Sequence, residues 1–324
     1  MRLLFVVHRY PPCMGGSEYY VQAMAEESLA RNYEVTVFTN QHNGNLNGVK
    51  VTNDFKVVFE KWDLIIVHGG NCSNQNMVHE MSHTITSPIL YLLILPSRTE
   101  ICMKGLTNAK YIGCSTQADW DHVKKCNVEH KSHRVRHGII IPRETQLADA
   151  ESRFRNRFGI TTKYIILSCG GFWRHKGMME LAHIFNQINR TDTTLVLTGY
   201  HNDPNNKPPQ TQNVLSLFLE DRNDVSDALS AADLYVMNSY EEGYGLVLLE
   251  AMSKRVPWAA RNIAGARELC DYGYTYNNNN ELFEILSNLE RYLSIRPGSY
   301  ENVKLECSIK NTVDDIENVL NVKS

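Results

Sequence analysis

The sequence predicts an α/β protein built from two doubly wound domains, and three observations support this fold class. The chain has 324 residues, which is enough for two domains of ordinary size. Short apolar and β-branched runs alternate with helical stretches, the pattern of a parallel sheet covered by helices on both faces. Glycine-bearing loops follow several of these runs, at the strand ends where such sheets bind ligands. We expect the two domains to face each other across a central cleft.

The predicted elements follow this alternation along the chain. Strands are predicted at residues 1–7, 33–39, 64–67, 89–95, 111–114, 134–136, 164–169, 194–198, 232–237 and 256–260. Helices are predicted at about residues 19–31, 178–189, 224–232, 246 onward, 281–293 and 309–322. The polar residues 143–157 indicate a linker and the first helix of the second domain, and residues 277–280 indicate a loop.

The composition limits the classes of function. Hydrophobic residues make up 43% and charged residues 21%, as in ordinary globular proteins, and the net charge of −3 argues against a general nucleic-acid coat protein. No run approaches the roughly twenty apolar residues of a membrane span. The first apolar run ends at His8 without a small-residue cleavage site, so it indicates a strand and not a signal peptide. The eight scattered cysteines contain no C-x-x-C pair and fit reduced thiols in the cytoplasm.

One segment of the second half carries the most specific pattern in the chain. Gly243 and Gly245 follow a predicted strand and precede a helix that begins at Leu246, so backbone N–H groups and the positive helix N-terminus can approach a ligand. Glu242 lies in this loop and Glu250 lies two turns into the helix, where each carboxylate can accept hydrogen bonds from hydroxyl groups. The alternative is a plain turn followed by a solvated glutamate. The apolar residues around Glu250 favour a functional role, because an unpaired carboxylate there is costly.

The stretch Glu242-Gly243-Tyr244-Gly245, followed by an apolar run and Glu250-Ala251-Met252, resembles a known signature. It is similar to Glu-Gly-Phe-Gly and Glu-Ala-Met in the large family of retaining, nucleotide-sugar-dependent glycosyltransferases with the GT-B fold (glycosyltransferase family 4-like). The resemblance implies that Glu242 and the amides of Gly243, Tyr244, Gly245 and Leu246 hold the donor sugar, and that Glu250 holds the ribose hydroxyls. It also implies a GT-B architecture with domains at residues 1–142 and 143–300, and a final helix within residues 301–324 that returns to the first domain.

Two further loops resemble parts of the same family. Gly15 and Gly16 precede the first helix, which makes an anion site, and in the family this loop faces the donor phosphates and the acceptor. Gly171 lies on a loop with Arg174 and Lys176, whose positive charges suit a diphosphate. Many members have Arg where this chain has Gly171, so Arg174 is assigned the guanidinium role beside Lys176. The alternatives are a simple turn for the first loop and an exposed basic loop for the second.

The acceptor side departs from the family pattern. His68 ends a predicted strand, which leaves open an acceptor-side role and a purely structural one. Many relatives carry a His after the strand that corresponds to residues 89–95, close to the reacting sugar, but here Ser97 and Arg98 stand there. Either Ser97 or Arg98 covers that role, or the acceptor chemistry differs. His137 stands where the family usually has Asn.

Other interpretations stay open from the sequence. His79-Glu80-x-x-His83 matches the H-E-x-x-H motif of zinc hydrolases, in which two His of one helix face bind zinc and the Glu is the general base. A non-catalytic sugar-nucleotide binding protein would keep only the donor loops. The basic residues 124–143 fit a solvated surface or a peripheral contact with an anionic membrane or nucleic acid. Asp119-Trp120-Asp121 imitates a metal motif of another glycosyltransferase fold and is predicted to lie on the surface.

Together the motifs predict a retaining glycosyltransferase that moves a sugar from a nucleotide-diphosphate donor, a UDP- or GDP-sugar, to an acceptor hydroxyl. No cofactor and no metal are expected, because Arg174, Lys176, the Gly16 amide and helix N-termini can neutralise the diphosphate. The acceptor stays open among a glycan, a lipid, a small molecule and a modified nucleic acid. The expected location is the cytoplasm, with a peripheral position at a membrane left open.

Overall fold

The chain forms two compact units. The structure, a computed structural model, describes residues 1–13, 15–68, 73–93, 100–199, 205, 207–219 and 221–321. Unit 1 consists of Met1–Ile140 and Glu306–Ser324, and unit 2 consists of Ile141–Leu305. Within the described ranges, no helix is long and apolar enough to cross a membrane.

Unit 1 is built around an eight-stranded sheet. Its strands are β1 (Arg2–Val6), β2 (Glu34–Phe38), β3 (Gly44–Leu46), β4 (Val49–Thr52), β5 (Leu64–His68), β6 (Ile89–Leu92), β7 (Tyr111–Cys114) and β8 (Ser132–Arg134). The helices of this part of the chain are α1 (Gly16–Ala30), α2 (Ser73–Met81), α3 (Glu100–Asn108) and α4 (Gln117–Lys125). The order is β3-β4-β2-β1-β5-β6-β7-β8, and every neighbouring pair is parallel except β3 with β4.

The direction of the chain through this sheet changes between β1 and β5. From β1 it continues to β2 and β4 on one side, and from β5 to β6, β7 and β8 on the other. The two central strands pair in parallel from Leu3 with Leu64 to Val6 with Val67. Open α/β sheets bind ligands beyond the carboxyl ends of the strands at such a switch point. The loop after β1 and His68 at the end of β5 therefore lie at the binding edge of this sheet.

The hairpin of β3 and β4 is an element that the sequence analysis did not predict. Its strands are joined by Asn47 and Gly48, which both have positive φ, 52° and 88°. A type I′ turn requires positive φ at both central residues, and Asn-Gly is its preferred sequence. The Asn-Gly pair was therefore visible in the sequence. The strand β3 was missed because it is short and largely exposed and has no apolar run.

Unit 2 contains a six-stranded sheet in which every neighbouring pair is parallel. Its strands are β9 (Tyr164–Gly170), β10 (Thr193–Gly199), β11 (Val214–Phe218), β12 (Leu234–Met237), β13 (Trp258–Arg261) and β14 (Tyr274–Tyr276). The helices are α5 (Glu144–Leu147), α6 (Ala150–Phe158), α7 (Met178–Ile188), α8 (Arg222–Ala231), α9 (Leu246–Ser253), α10 (Ala264–Glu268), α11 (Asn279–Ser287) and α12 (Ser299–Glu306). Apolar side chains of the sheet, α7 and α11 share one core that includes Phe185, Leu195 and Leu286.

Three features of unit 2 differ from the prediction or add to it. The strands β11 and β14 were not predicted. The helix α11 begins at Asn279, inside the stretch predicted as a loop, because the Asn278 side chain accepts hydrogen bonds from the N–H groups of Asn280 and Glu281. Asparagine is a preferred N-cap, and a Glu three residues later is part of the usual capping pattern.

The last helix, α13 (Ile309–Asn321), belongs to unit 1. Its buried Asp315 accepts hydrogen bonds from the backbone N–H of Arg136 at 2.8 Å and from the Arg136 guanidinium at 2.8 and 2.7 Å. Arg31 at the end of α1 forms ion pairs with Asp314 and Glu317 of α13 at 2.7 and 2.8 Å. Because the N–H of Arg136 is bonded to Asp315 and not to the sheet, β8 lies at Ser132–Arg134, two residues before the predicted strand.

Candidate functional site

The loops after β9 and β12 form the candidate site of unit 2. From β9 the chain continues to β10 and β11 on one side of the sheet, and from β12 to β13 and β14 on the other. The two strands pair in parallel, with Tyr235 opposite Leu167, so their carboxyl ends lie side by side. This is the switch point of the second sheet, the place where open α/β sheets bind ligands.

Backbone contacts hold these two loops together. The N–H of Tyr240 donates to the carbonyl of His175 at 2.8 Å. The side-chain amide of Asn238, which is fully buried, donates to the carbonyl of Gly177 at 2.8 Å. Gly177 has a φ of 64°, and a Cβ there would collide with the carbonyl oxygen of Asn238, so this position requires glycine. The loops are therefore positioned by the buried ends of the strands.

Lys176 and Glu242 form an ion pair between the two loops. Their side chains are 19% and 17% exposed, so water screens the pair only weakly. The hydroxyl of Ser239 donates to Oε1 of Glu242 at 2.8 Å and orients the carboxylate. The structure thus brings two of the predicted residues into contact. An incoming anion would compete with Glu242 for Lys176.

Glu250 forms a second ion pair, with Arg222 at the start of α8. The Glu250 side chain is 15% exposed, and Arg222, whose own side chain is 43% exposed, gives its carboxylate a charged partner. The sequence analysis missed Arg222. Its position in the first turn of a helix was the available signal, because the helix dipole disfavours a positive charge there and indicates a compensating partner.

Glycine residues let the loop after β12 turn closely into α9. Gly245 is the N-cap of α9 with a φ of 82°, a left-handed conformation that side chains disfavour. A Cβ at Gly265 would collide with the carbonyl of Tyr244, so α10 packs directly on the backbone of the loop. The predicted donor residues Gly243, Tyr244 and Leu246 are all partly buried.

Arg174 and Gly171 lie on the loop after β9. Gly171 is buried, and a Cβ there would collide with the indole nitrogen of Trp173. The Arg174 side chain is exposed and makes no hydrogen bond or ion pair with the described residues. Lys176 is engaged with Glu242, whereas the Arg174 guanidinium can meet an anion without breaking a contact.

In unit 1, Gly15 and Gly16 lie where the loop after β1 enters α1. A Cβ at Gly15 would collide with the Glu18 carboxylate, whereas the corresponding position at Gly16 has open space around it. Glu18 is 5% exposed and accepts a hydrogen bond from Nε of Arg9 at 2.8 Å. Burial raises the pKa of Glu18, and Arg9 acts in the opposite direction. Of the two glycines, Gly16 is therefore the one open to a ligand.

His68 lies in a stack of buried rings at the end of β5. Its ring centroid is 5.3 Å from that of Tyr20, and Tyr20 stacks on His137 at 5.0 Å. Burial, with a contribution from His137, lowers the pKa of His68 to about 3, and burial lowers the pKa of His137 to about 4. Both imidazoles are therefore neutral at pH 7. His68 is 3% exposed, so it lies beneath the surface of the binding edge.

The H-E-x-x-H residues do not form the helix face that a zinc site requires. The helix α2 ends at Met81, so His79 lies on it and His83 lies beyond it. His79 is buried, and its ring and that of Tyr91 form a T-shaped pair with centroids 4.7 Å apart, whereas His83 is exposed. In the described ranges, no group of three or more His, Cys, Asp or Glu is placed to hold a metal ion. Two other predicted residues, Ser97 and Arg98, lie outside the residues that the structure describes.

The structure changes two expectations about surface residues in part. Asp119 is 3% exposed and caps α4, accepting hydrogen bonds from two backbone N–H groups at 2.9 and 2.8 Å. Within the basic stretch, Arg136 is bonded to Asp315, and Lys131 donates to two carbonyl groups at 2.7 and 2.9 Å. These two cations stabilise unit 1 itself and are not presented to an anionic partner.

Comparisons with known proteins match the segment that contains the candidate site. Residues 163–290 match the family model described as glycosyl transferases group 1. The N-acetyl-alpha-D-glucosaminyl L-malate synthase of Bacillus anthracis is 25% identical over 186 residues, which are 52% of this chain and 48% of that protein. The chain therefore spans about half the length of the curated relative that it matches.

Several solved structures share the fold along the whole chain. HepE of Anabaena, in complex with UDP and glucose, has a TM-score of 0.77 at 18% identity, with 100% of both chains covered. Sucrose-phosphate synthase from Thermosynechococcus elongatus has a TM-score of 0.77 at 15% identity, covering 99% of this chain and 98% of that one. WaaG, a glycosyltransferase involved in lipopolysaccharide biosynthesis, has a TM-score of 0.72 at 15% identity, covering 99% and 100%. The predicted fold class, two parallel-sheet α/β domains of the GT-B type, is confirmed.

Proposed function

We propose that this protein is a glycosyltransferase that moves a sugar from a nucleotide-diphosphate donor to an acceptor hydroxyl. The observation that carries the proposal is the ion pair of Lys176 and Glu242 at the switch point of unit 2. It lies inside the segment that matches the group 1 glycosyltransferases. A basic and an acidic side chain in contact at this edge supply one group for phosphates and one for sugar hydroxyls.

Lys176 and Arg174 are assigned to the diphosphate. The leaving nucleoside diphosphate gains negative charge as its bond to the sugar breaks, and fixed cations stabilise that charge in the transition state. Lys176 exchanges its contact with Glu242 for a phosphate oxygen, while the exposed Arg174 turns toward the same group. The N-terminus of α9 after Gly245 adds positive potential. With these groups, the proposed transfer needs no metal ion.

Glu242 and Glu250 are assigned to hydroxyl groups of the donor. Once Lys176 has turned to the phosphates, Glu242 accepts hydrogen bonds from the sugar, and the Ser239 hydroxyl keeps its carboxylate oriented. The backbone N–H groups of residues 243–246 bind the sugar or phosphate oxygens. Glu250 accepts the ribose hydroxyls, and Arg222 compensates its charge while the site is empty.

The transfer is proposed to retain the configuration at the anomeric carbon. The acceptor oxygen attacks from the face that the diphosphate leaves. The bond between the anomeric carbon and the diphosphate oxygen breaks with its electron pair, and the bond to the acceptor oxygen forms. The acceptor proton passes to the departing phosphate oxygen, so no protein nucleophile takes part and the side chains bind and orient.

UDP- and GDP-sugars are the proposed donors, and UDP is the first to test because HepE was solved with UDP and glucose. We assign acceptor recognition to unit 1, at the open Gly16 and the edge beside His68, with Ser97 and Arg98 as further candidates. A thermal-shift series with UDP, GDP, ADP and their sugar conjugates, each with and without EDTA, tests the donor site. We expect one nucleoside diphosphate to raise the Tm, with EDTA leaving the shift intact.

A zinc arm with a chelator control belongs to the same series. A shift by zinc, with none from any nucleotide, would contradict the proposal and support a hydrolase. Turnover is then measured as release of the nucleoside diphosphate with a panel of acceptors, and NMR of the product assigns the anomer. Donor binding without release for any acceptor would fit a sugar-nucleotide binding protein instead.

A further inference from the structure

A second cluster of polar side chains lies beyond the carboxyl ends of β13 and β14. Arg261 ends β13, and of the four asparagines of residues 277–280 the first two connect β14 to α11 and the last two begin α11. Together with Glu180 of α7 they line an open cavity of about 440 Å³, which we name the asparagine pocket. This volume lies within the range of small-molecule sites, roughly 300–1,000 Å³.

Two opposite charges in the asparagine pocket compensate each other. Nη2 of Arg261 donates to the Glu180 carboxylate at 2.8 Å and to Oδ1 of Asn238 at 2.8 Å. Glu180 also accepts hydrogen bonds from the Tyr240 hydroxyl at 2.8 Å and from the Asn279 amide at 2.7 Å. Because Arg261 and Glu180 are each held by several partners, an ion would have to break this network to pair with either of them. A neutral ligand suits the pocket best.

The pocket retains hydrogen-bonding capacity that its own residues do not use. The Asn280 side chain is exposed and makes no hydrogen bond with any residue that the structure describes. An amide group both donates and accepts. Hydroxyl groups, which also do both, match a pocket lined by several amides.

An exposed aromatic ring lies beside these polar groups. Tyr240 is 45% exposed, and the Arg261 guanidinium lies over its ring at 4.7 Å. The hydroxyl of Tyr240 is held by Glu180, so the ring has a fixed place. A ring of this kind offers an apolar face next to polar groups, which suits a ligand with a carbon skeleton and many hydroxyls.

We propose that the asparagine pocket binds a neutral, hydroxyl-rich ligand of monosaccharide size. The exposed amide of Asn280 bonds its hydroxyls. The amides of Asn277, Asn278 and Asn279, which already donate to Glu281 or Glu180, line the pocket beside it, and the pair of Arg261 and Glu180 forms the polar wall. This binding site does not involve Lys176 or Glu242, and it does not depend on the function proposed above.

Ligand-observed NMR on the intact protein tests the proposal. The probes are methyl α-D-glucopyranoside and the corresponding galactose, mannose and N-acetylglucosamine glycosides. We expect at least one of them to give a saturable signal in the millimolar range. Asn280→Leu places an apolar side chain where an amide would bond a hydroxyl, and we expect it to weaken that binding roughly tenfold or more. Its thermal unfolding should match that of the unsubstituted protein, because the side chain it replaces is exposed and unbonded.

Asn223→Leu is the matched control. Asn223 holds the second position of α8, as Asn280 does in α11, and each backbone N–H bonds the cap residue of its helix, at 2.7 and 3.0 Å. Binding should persist in Asn223→Leu and in Glu242→Gln. The proposal is overturned if no glycoside binds saturably, if Asn280→Leu binds as well as the unsubstituted protein, or if either control loses binding too. Displacement of the bound glycoside by inorganic phosphate would also overturn it, since the pocket would then select an anion.

Discussion

The two sheets of this protein bring different side chains to their switch points. Beyond β9 and β12, charged side chains meet in pairs, as Lys176 and Glu242 do. Beyond β1 and β5, buried rings meet instead, and His68 and His137 are neutral because burial lowers the pKa of both. The topology of the two sheets is the same kind of parallel, doubly wound arrangement, but one edge carries paired charges and the other carries mostly uncharged rings.

This difference shows where function resides in a repeated architecture. The sheet order decides which loops meet, while the residues on those loops decide what chemistry the edge can perform. Paired charges can exchange partners with an anionic ligand, so the edge in unit 2 suits a diphosphate. The edge in unit 1 has the ion pair of Arg9 and Glu18 beside neutral rings, which suits uncharged hydroxyl groups better.

Removing the charge of Glu242 tests the charged edge most strongly. Glu242→Gln keeps the size of the side chain but releases Lys176. We expect kcat to fall roughly a hundredfold or more, the scale of losing one transition-state contact. The affinity for the nucleoside diphosphate should rise, because Lys176 no longer has a competing carboxylate. Steady-state transfer assays and calorimetric titration measure the two effects.

The matched control for this change is Glu241→Gln. Glu241 is the exposed neighbour of Glu242 and makes no hydrogen bond or ion pair with the described residues. Its kcat should stay close to that of the unsubstituted protein. Equal losses in the two variants would show that the overall charge of the loop matters and not the position of Glu242.

Lys176→Ala tests the cation of the same ion pair. Hydrogen bonds to charged groups contribute about 1.5–3 kcal/mol, so affinity for the nucleoside diphosphate should fall roughly tenfold to a hundredfold. Affinity for the nucleoside alone should change little. Lys163→Ala, at an exposed lysine just before the amino end of β9, is the control and should bind both normally. An equal loss for nucleoside and nucleoside diphosphate would exclude a phosphate role for Lys176.

Acid should destabilise unit 1 before unit 2. Burial lowers the pKa of His68 to about 3 and that of His79 and His137 to about 4, from the ordinary 6.5. Below pH 6.5 the unfolded chain binds protons at these residues and the folded chain does not. The contribution of these histidines to the free energy of unfolding is therefore fully present above pH 6.5. It is lost as the pH falls toward the pKa values that they have in the folded protein. For each histidine, the free energy of unfolding then falls by up to about 1.4 kcal/mol per pH unit.

Hydrogen exchange measured by mass spectrometry follows the protection of backbone amides in each unit separately. The rates are corrected for the pH dependence of intrinsic exchange. We expect the protection of backbone amides in unit 1 to decline first when the pH is lowered below 6.5, the ordinary pKa of histidine. Earlier loss of protection in unit 2 would contradict this expectation, because the groups most sensitive to acid would then lie in unit 2.

Arg222→Gln should change the protein least. The Arg222 side chain is 43% exposed, and exposed ion pairs contribute about 0–1 kcal/mol. We expect the free energy of unfolding in urea to fall by less than about 1 kcal/mol. A much larger loss would show that Glu250 depends on Arg222 as a buried charge does, and that this pair belongs to the core of unit 2.

Most strands of the two sheets and the positions of the main loops were predictable from the sequence, whereas β3, β4, β11 and β14 were not. The strand predicted at residues 111–114 is β7 (Tyr111–Cys114), and the predicted start of α9 at Leu246 is observed. Buried parallel strands carry continuous apolar runs, and glycine marks the loops that must turn closely, so both features are written in neighbouring residues. Glu242 and Glu250 were also recognisable locally, because acids stand out beside glycines and within an apolar helix.

The partners of these side chains were not predictable from the sequence and became known from the fold. Lys176 and Glu242 are 66 residues apart in the chain, and Arg136 and Asp315 are 179 apart. Arg222 became part of the site because α8 carries it to Glu250. Local patterns encode burial and turning, but the choice of partner depends on strand order, which brings together residues that the sequence separates.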